Sequence, residues 1–132
     1  MILLDTDTCI FLLNGKIAPE TVDRMRRLRS SDIGTATVTA AELRYGALHS
    51  ARAKANLDRV EVFLASLVQV PFEGVAASHF ARVKDHLIRR GRPIGVMDLL
   101  IAATALAAQA TLVTGNTREF SRVPGLALER WH

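Results

Sequence analysis

Two acidic side chains follow the first apolar run of the sequence. Ile2, Leu3 and Leu4 form an unbroken apolar stretch, and Asp5 and Asp7 come directly after it. The run is too short for a helix, so it predicts a buried strand of a parallel sheet. Open α/β sheets bind ligands and metal ions at the carboxyl ends of their strands. Two carboxylates at such an end therefore favour a site for a cation or a phosphate group.

Further oxygen donors stand far along the chain, at Glu42, Asp98, Asn116 and Glu119. Such donors suit a hard divalent cation such as Mg²⁺, which keeps several waters and needs few carboxylates. The histidines show no zinc-type spacing with a cysteine. Two acids also have a purely structural interpretation. Glu42 stands three residues after Thr39, which is the capping-box spacing, and Asp98 would favour a helix dipole as a first-turn acid.

Apolar periodicity places these residues on alternating strands and helices. Strands are predicted over residues 2–4, 32–38, 68–71, 111–114 and 126–129. Helices are predicted over residues 8–13, 19–28, 39–48, 57–67, 76–87, 98–110 and 117–120. This alternation predicts a parallel sheet with helices on both faces. Because parallel strands share one carboxyl edge, we expect Asp5, Glu42 and Asp98 to meet there.

Length and composition predict one α/β domain over residues 1–132, without a membrane span or a signal peptide. The single cysteine, Cys9, cannot form an internal disulfide, which suits a reducing cytoplasm, and we expect it to be a small buried hydrophobe. Lys and Arg total 17 against 13 Asp and Glu, a net charge of +4. A positive surface around an acidic pocket is what a metal-dependent nuclease needs, although the same charge could merely aid solubility.

Four blocks together resemble one known family. They are residues 4–7 (LDTD), 39–46 (TAAELRYG), 94–102 (IGVMDLLIA) and 112–120 (LVTGNTREF). In this order they are similar to the PIN-domain ribonucleases, and in particular to the VapC toxins of bacterial toxin–antitoxin pairs. The resemblance covers nearly the whole chain, and four ordered blocks are far more specific than any one of them.

The resemblance implies a three-layer PIN-like sandwich with a parallel sheet of strand order 3-2-1-4-5. It implies endonucleolytic cleavage of RNA by a metal-activated water, with Mg²⁺ or Mn²⁺ as cofactor. Asp5, Glu42 and Asp98 match the metal-binding acids of the family. A cytoplasmic homodimer silenced by a VapB-type antitoxin, and a larger complex with that antitoxin on DNA, are further expectations from the family.

This chain departs from the family pattern at two acidic positions. Many relatives have Asn where Asp7 stands, so we expect Asp7, with Thr6 and Thr114, to support the ligands rather than to contact the metal directly. Where many PIN domains place a fourth Asp, this chain has Asn116, and Glu119 three residues later is the candidate substitute.

Contacts with RNA and with a protein partner are predicted less directly. Arg44, Arg92 and Arg118 lie near the acidic edge and are candidate phosphate contacts, although each could be an ordinary surface residue. Few aromatic residues are available for stacking, so we expect recognition of structured RNA, with tRNA preferred by analogy. A candidate apolar groove for an antitoxin, whose members are more often core residues, comprises Leu12, Leu13, Leu57, Phe63 and Leu64.

Two other functions remain open from the sequence. Asp5 and Asp7 after a buried strand also fit a haloacid-dehalogenase-like phosphatase with Asp5 as nucleophile, but no well-placed lysine or later acidic pair accompanies them. A non-catalytic RNA-binding or partner-binding module would instead be expected to have lost some of the acids. A phosphoacceptor receiver domain is excluded, because its Asp would stand where this chain has Val70, Pro71 and Phe72.

Overall fold

The computed structural model describes residues 1–132. Its strands are β1 (Ile2–Leu4), β2 (Ile33–Ala36), β3 (Val68–Val70), β4 (Thr111–Val113) and β5 (Leu128–Glu129). Its helices are α1 (Thr6–Leu13), α2 (Pro19–Arg26), α3 (Thr37–Leu48), α4 (Ala53–Ala65), α5 (Gly74–Arg89), α6 (Val96–Ala107) and α7 (Thr117–Phe120). A 3₁₀ turn, Ser30–Asp32, leads into β2.

The strands form one parallel sheet in the order β3-β2-β1-β4-β5, which confirms the predicted topology. Leu4 of β1 is paired with Thr35 on one side and with Val113 on the other. The carboxyl ends of these three central strands therefore lie level with one another. The order in which strands are added reverses at β1, because β2 and β3 lie on one side of it and β4 and β5 on the other. Such a switch point opens a crevice at the carboxyl edge.

Helices cover both faces of the sheet, so the predicted three-layer arrangement is confirmed. Successive strand residues point to opposite faces, and accordingly Leu3 and Leu112 belong to one apolar core while Leu4 and Val113 belong to the other. Helices α5, α6 and α7 pack on the first face. Helices α1, α3 and α4 pack on the second. This double burial explains why β1 and β4 read as continuous apolar runs.

Several predicted boundaries are wrong by two residues, and at α1 and α6 the cause is a missed polar or glycine cap. Helix α1 begins at Thr6, not at residue 8, because Asp5 is its N-cap. Strand β2 ends at Ala36 and α3 begins at Thr37, although Thr37 and Val38 are β-branched. Helix α6 begins at Val96 after Gly95. Strand β5 begins at residue 128 rather than 126.

Cys9 is buried in the core beneath α1, as predicted. Burial, with a smaller contribution from the nearby Asp5 carboxylate, raises the pKa of its thiol to about 12, so it carries no nucleophilic thiolate at neutral pH. None of the helices combines the length and apolar character that crossing a bilayer requires.

Candidate active site

Asp5 is the most enclosed acid of the chain, with only 4% of its surface exposed. It ends β1 and caps α1, and its Oδ1 accepts a hydrogen bond of 2.8 Å from the backbone N–H of Thr8. Its own N–H donates to the carbonyl of Val113 across the sheet, at 3.0 Å. The Asp5 carboxylate is thus fixed at the switch point, where the positive end of α1 stabilises its charge.

Glu42 reaches the same edge from the second turn of α3. Its Oε1 accepts a hydrogen bond of 2.7 Å from the hydroxyl of Thr6, which also lies 3.1 Å from the hydroxyl of Thr39. The capping-box interpretation of Glu42 is wrong, because the N-cap of α3 is Ala36 and no side chain caps that helix. Glu42 is therefore oriented by a residue of α1 rather than used to begin its own helix.

Asp98 lies in the first turn of α6 and is only partly buried. Burial is the largest cause of a raised pKa at Asp98. A hydrogen bond and charge repulsion from Glu119 add to it, followed by repulsion from Asp5 and Glu42. Together they raise the pKa of the Asp98 carboxyl from 3.8 to about 7. The contributions of Glu119, Asp5 and Glu42 place the four carboxylates in one neighbourhood, and no basic side chain lowers the pKa there.

Glu119 is held in this neighbourhood by Asn116. The Asn116 amide nitrogen donates to Glu119 Oε2 at 2.9 Å, and its amide oxygen caps α7 by accepting from the N–H of Glu119. The hydroxyl of Thr114 in turn accepts the backbone N–H of Asn116 at 2.9 Å. The segment after β4 therefore delivers the Glu119 carboxylate to Asp98, while Asn116 and Thr114 fix the turn.

The donor set consists of the carboxylates of Asp5, Glu42, Asp98 and Glu119. Carboxylate oxygens are the ligands that a hard divalent cation prefers, so the set fits such an ion. No three acidic, histidine or cysteine side chains already surround a common point as metal ligands. Each of three carboxylates instead accepts a hydrogen bond within the protein: Asp5 from a backbone N–H, Glu42 from Thr6, and Glu119 from Asn116.

The remaining predicted site residues are placed differently. Thr6 stands between α1 and α3, whereas Asp7 is exposed and makes no hydrogen bond through its side chain. Arg44 is engaged by Glu61 of α4 through bonds of 2.6 and 3.2 Å. Arg92 and Arg118 are exposed, and neither forms an ion pair.

Two threonines of the site were missed in the sequence. Thr39 is fully buried beside Thr6, and the hydroxyl of Thr8 donates to Val113 while lying 3.0 Å from Nε2 of His132. Thr39 could have been found from its spacing, because residues three apart share a helix face and Glu42 follows it by three. Nothing local in the sequence indicates the contact with His132.

The predicted apolar groove is present in part. Leu12, Leu13 and Phe63 line a surface cavity of about 510 Å³ between α1 and α4, together with Val62. Leu57 and Leu64 do not line it. Leu64 is 1% exposed and lies in the core, and Leu57 packs against that core.

The PIN domain family model matches residues 2–126. The chain is 37% identical to the tRNA(fMet)-specific endonuclease VapC of Salmonella typhimurium over 98% of this chain and 96% of that protein. It is 34% identical to ribonuclease VapC2 of Rickettsia felis, with the same coverage of both chains.

Solved structures agree with the sequence relatives. The DNA-bound VapBC complex from Salmonella typhimurium contains a chain that superposes with a TM-score of 0.92 at 36% identity, covering all of both chains. VapBC2 from Rickettsia felis, bound to a fragment of its promoter DNA, gives a TM-score of 0.92 at 33% identity, again over the full length of both. The phosphatase alternative is thereby set aside. The chain belongs to the PIN-domain family and, within it, to the VapC ribonucleases that form the toxin component of toxin–antitoxin systems.

Proposed function

We propose that this ribonuclease depends on Mg²⁺, for which Mn²⁺ can substitute, and that Asp5, Glu42 and Asp98 hold the ion. The observation that carries the proposal is the convergence of carboxylates on Asp98. Glu119, Asp5 and Glu42 all lie close enough to affect it, and burial first, then the hydrogen bond and charge of Glu119 and the charges of Asp5 and Glu42, raise the pKa of the Asp98 carboxyl to about 7. A site that disfavours its own ionisation in this way is suited to a divalent cation, which would favour the deprotonated carboxylate.

The bound cation would supply Lewis-acid activation of a water for attack on the scissile phosphate and would offset the charge that develops there. Asp5 contributes a carboxylate that the N-terminus of α1 holds rigid. Glu42 is aimed by the hydroxyl of Thr6, and Glu119, which Asn116 positions, faces Asp98 as the candidate fourth acid. Asp7, being exposed, is proposed to act only through the charge that it adds at the rim.

We propose a structured RNA as substrate, with tRNA the first class to test, because the Salmonella relative is named as tRNA(fMet)-specific. Arg92 and Arg118 are the proposed phosphate contacts of the original set, since the guanidinium of Arg44 is engaged by Glu61. We further propose regulation by a VapB-type antitoxin, because the similar solved structures are VapBC complexes, two of them on DNA. We also propose a cytoplasmic location, which the single cysteine suits, and a homodimer, which the family resemblance implies.

The metal dependence is tested by incubating the purified chain with total RNA in Mg²⁺ or in EDTA and mapping the new 5′ ends. We expect cleavage in Mg²⁺ only. Asp98→Asn should lower the rate by at least about 100-fold, because loss of metal chemistry costs several kcal/mol of transition-state stabilisation. The matched control is Asp23→Asn, which removes an exposed carboxylate from α2. Undiminished cleavage by a folded Asp98→Asn protein, or cleavage in EDTA, would overturn the proposal.

A further inference from the structure

A cluster of basic side chains surrounds a surface cavity outside the acidic site. The cavity has a volume of about 390 Å³, and four of its five lining residues are His86, Arg90, Arg92 and Arg122. The fifth is Leu87. We call this cavity the arginine pocket. Its wall is mainly basic, and no carboxylate contributes to it.

The cations of the arginine pocket have no acidic partners. All ion pairs of the chain involve other basic residues, namely Arg24, Arg26, Arg44, Lys54 and Arg89. The guanidinium of Arg122 donates to the carbonyl of Pro93 at 3.3 Å through Nη1, but its Nε–H is buried and has no acceptor. An unsatisfied buried donor on a cation is costly, and an anion in the pocket would relieve that cost.

The helix dipole does not explain the pocket. His86 and Arg90 lie at the carboxyl-terminal end of α5, where cations are favourable in any protein. Arg92 lies beyond that helix, and Arg122 lies in a later segment of the chain, after α7. Two distant segments therefore bring like charges to one cavity, and an anion bound there would offset their repulsion.

The arginine pocket adjoins the acidic site through two short connections. The N–H of Arg122 donates to the carbonyl of Glu119 at 3.1 Å, so Arg122 lies one helical turn from the acid that faces Asp98. On the other side, the Pro93 carbonyl that Arg122 holds precedes Gly95, the N-cap of α6. A polyanion that enters the acidic site can therefore reach the pocket as well.

We propose that the arginine pocket binds a backbone phosphate of the RNA substrate at a position away from the scissile bond; this inference rests on the proposed function. Guanidinium groups match the geometry of phosphate oxygens through paired N–H donors. Phosphate contacts of this kind fix the register of a nucleic acid without reading its sequence. The pocket would thus hold the RNA while the acids act on a neighbouring phosphodiester.

The test uses the two exposed arginines, because Arg122 also supports the Pro93 loop and its loss could disturb the fold. The double variant Arg90→Ala, Arg92→Ala is compared with the double variant Arg27→Ala, Arg52→Ala, which removes the same charge from exposed arginines without ion pairs elsewhere. Fluorescence anisotropy in EDTA measures the binding of labelled unfractionated tRNA over a range of salt concentrations. Steady-state cleavage of the same tRNA in Mg²⁺ gives kcat and KM.

We expect the pocket variant to bind tRNA about tenfold more weakly, as the loss of charge-assisted hydrogen bonds implies. The slope of log affinity against log salt should fall by about one, because the pocket holds one phosphate. KM should rise while kcat stays within about twofold, because the acids are untouched. The double variant Arg90→Lys, Arg92→Lys should retain part of the affinity that the alanine variant loses.

Three outcomes separate the alternatives. If the pocket variant matches the control variant in affinity, salt slope and KM, the phosphate site is wrong even though metal-dependent cleavage stands. If the wild-type chain binds tRNA through these arginines but does not cleave it in Mg²⁺, the metal proposal fails and the pocket stands. The same anisotropy assay is also run with labelled polyglutamate. If the pocket variant loses binding of polyglutamate but not of tRNA, the pocket binds an acidic polypeptide and the RNA assignment is overturned.

Discussion

The carboxyl group of Asp98 links the chemistry of the site to the stability of the fold. Burial first, and then the carboxylates of Glu119, Asp5 and Glu42, raise its pKa to about 7, whereas its ordinary value is 3.8. Between these two pH values the folded protein keeps a proton that the unfolded chain has lost. The free energy of unfolding of the metal-free protein therefore falls as the pH rises through this window.

Asp98→Asn should consequently stabilise the metal-free protein at pH 8, although it abolishes cleavage. Because the side chain is partly exposed, we expect a gain of only about 1 kcal/mol in the free energy of unfolding, well below the full linkage value. The gain should shrink as the pH falls from about 7 to below 3.8, where the wild-type carboxyl becomes protonated in both states. Urea denaturation in EDTA across this range measures it, and a variant no more stable than wild type at pH 8 would contradict the explanation.

At the scale of the elements, the acidic site depends on how α1 and α3 are joined. The hydroxyl of Thr6 on α1 donates to Glu42 on α3 and lies beside Thr39. Thr6→Val keeps the shape of the side chain but leaves Glu42 without this donor. We expect kcat for RNA cleavage to fall about tenfold with the melting temperature nearly unchanged, whereas Thr6→Ser should retain activity. Equal losses in both variants would show that the methyl group of Thr6 matters rather than its hydroxyl.

Strand β2 approaches β3 so closely that one position requires glycine. A Cβ on Gly34 would lie 2.5 Å from the backbone oxygen of Val68, and no flexible side chain is available to move away. Gly34→Ala should lower the free energy of unfolding by about 1–3 kcal/mol, as overpacking does. Gly46→Ala is the matched control, because a Cβ there meets nothing within 4 Å. Chemical denaturation of both variants measures the difference, and similar stabilities would argue against close packing at β2.

The order of the elements could be predicted from the sequence because burial on two faces leaves continuous apolar runs in β1 and β4. Their boundaries could not, since local propensity competes with capping. Thr37 and Val38 are β-branched and favour a strand, yet both lie in α3. Asp5 was recognised as a strand-end acid, but its role as the N-cap of α1 requires the backbone of Thr8, which no sequence pattern shows.

For the molecule as a whole, the sequence predicted which acids converge but not how their charges are balanced. Parallel topology alone brings Asp5, Glu42 and Asp98 to one edge, because strands of a parallel sheet share their carboxyl ends. The engagement of Arg44 by Glu61 depends on how α3 packs against α4. The arginine pocket likewise depends on two segments that meet only in the folded chain. Long-range packing therefore decides which surface cations remain available to a polyanion.

A bound divalent cation should stabilise the whole molecule, because a ligand that binds only the folded state shifts the unfolding equilibrium. At a Mg²⁺ or Mn²⁺ concentration about 100 times the dissociation constant, we expect about 2.7 kcal/mol of added free energy of unfolding at pH 8. The effect should grow with metal concentration in the wild type and be largely lost in Asp98→Asn, while Asp23→Asn behaves as wild type. Urea denaturation at constant ionic strength, set with NaCl, measures it without any RNA. An equal shift in wild type and Asp98→Asn would mean that the ion binds elsewhere, because the repulsion among the four carboxylates is relieved only by an ion among them.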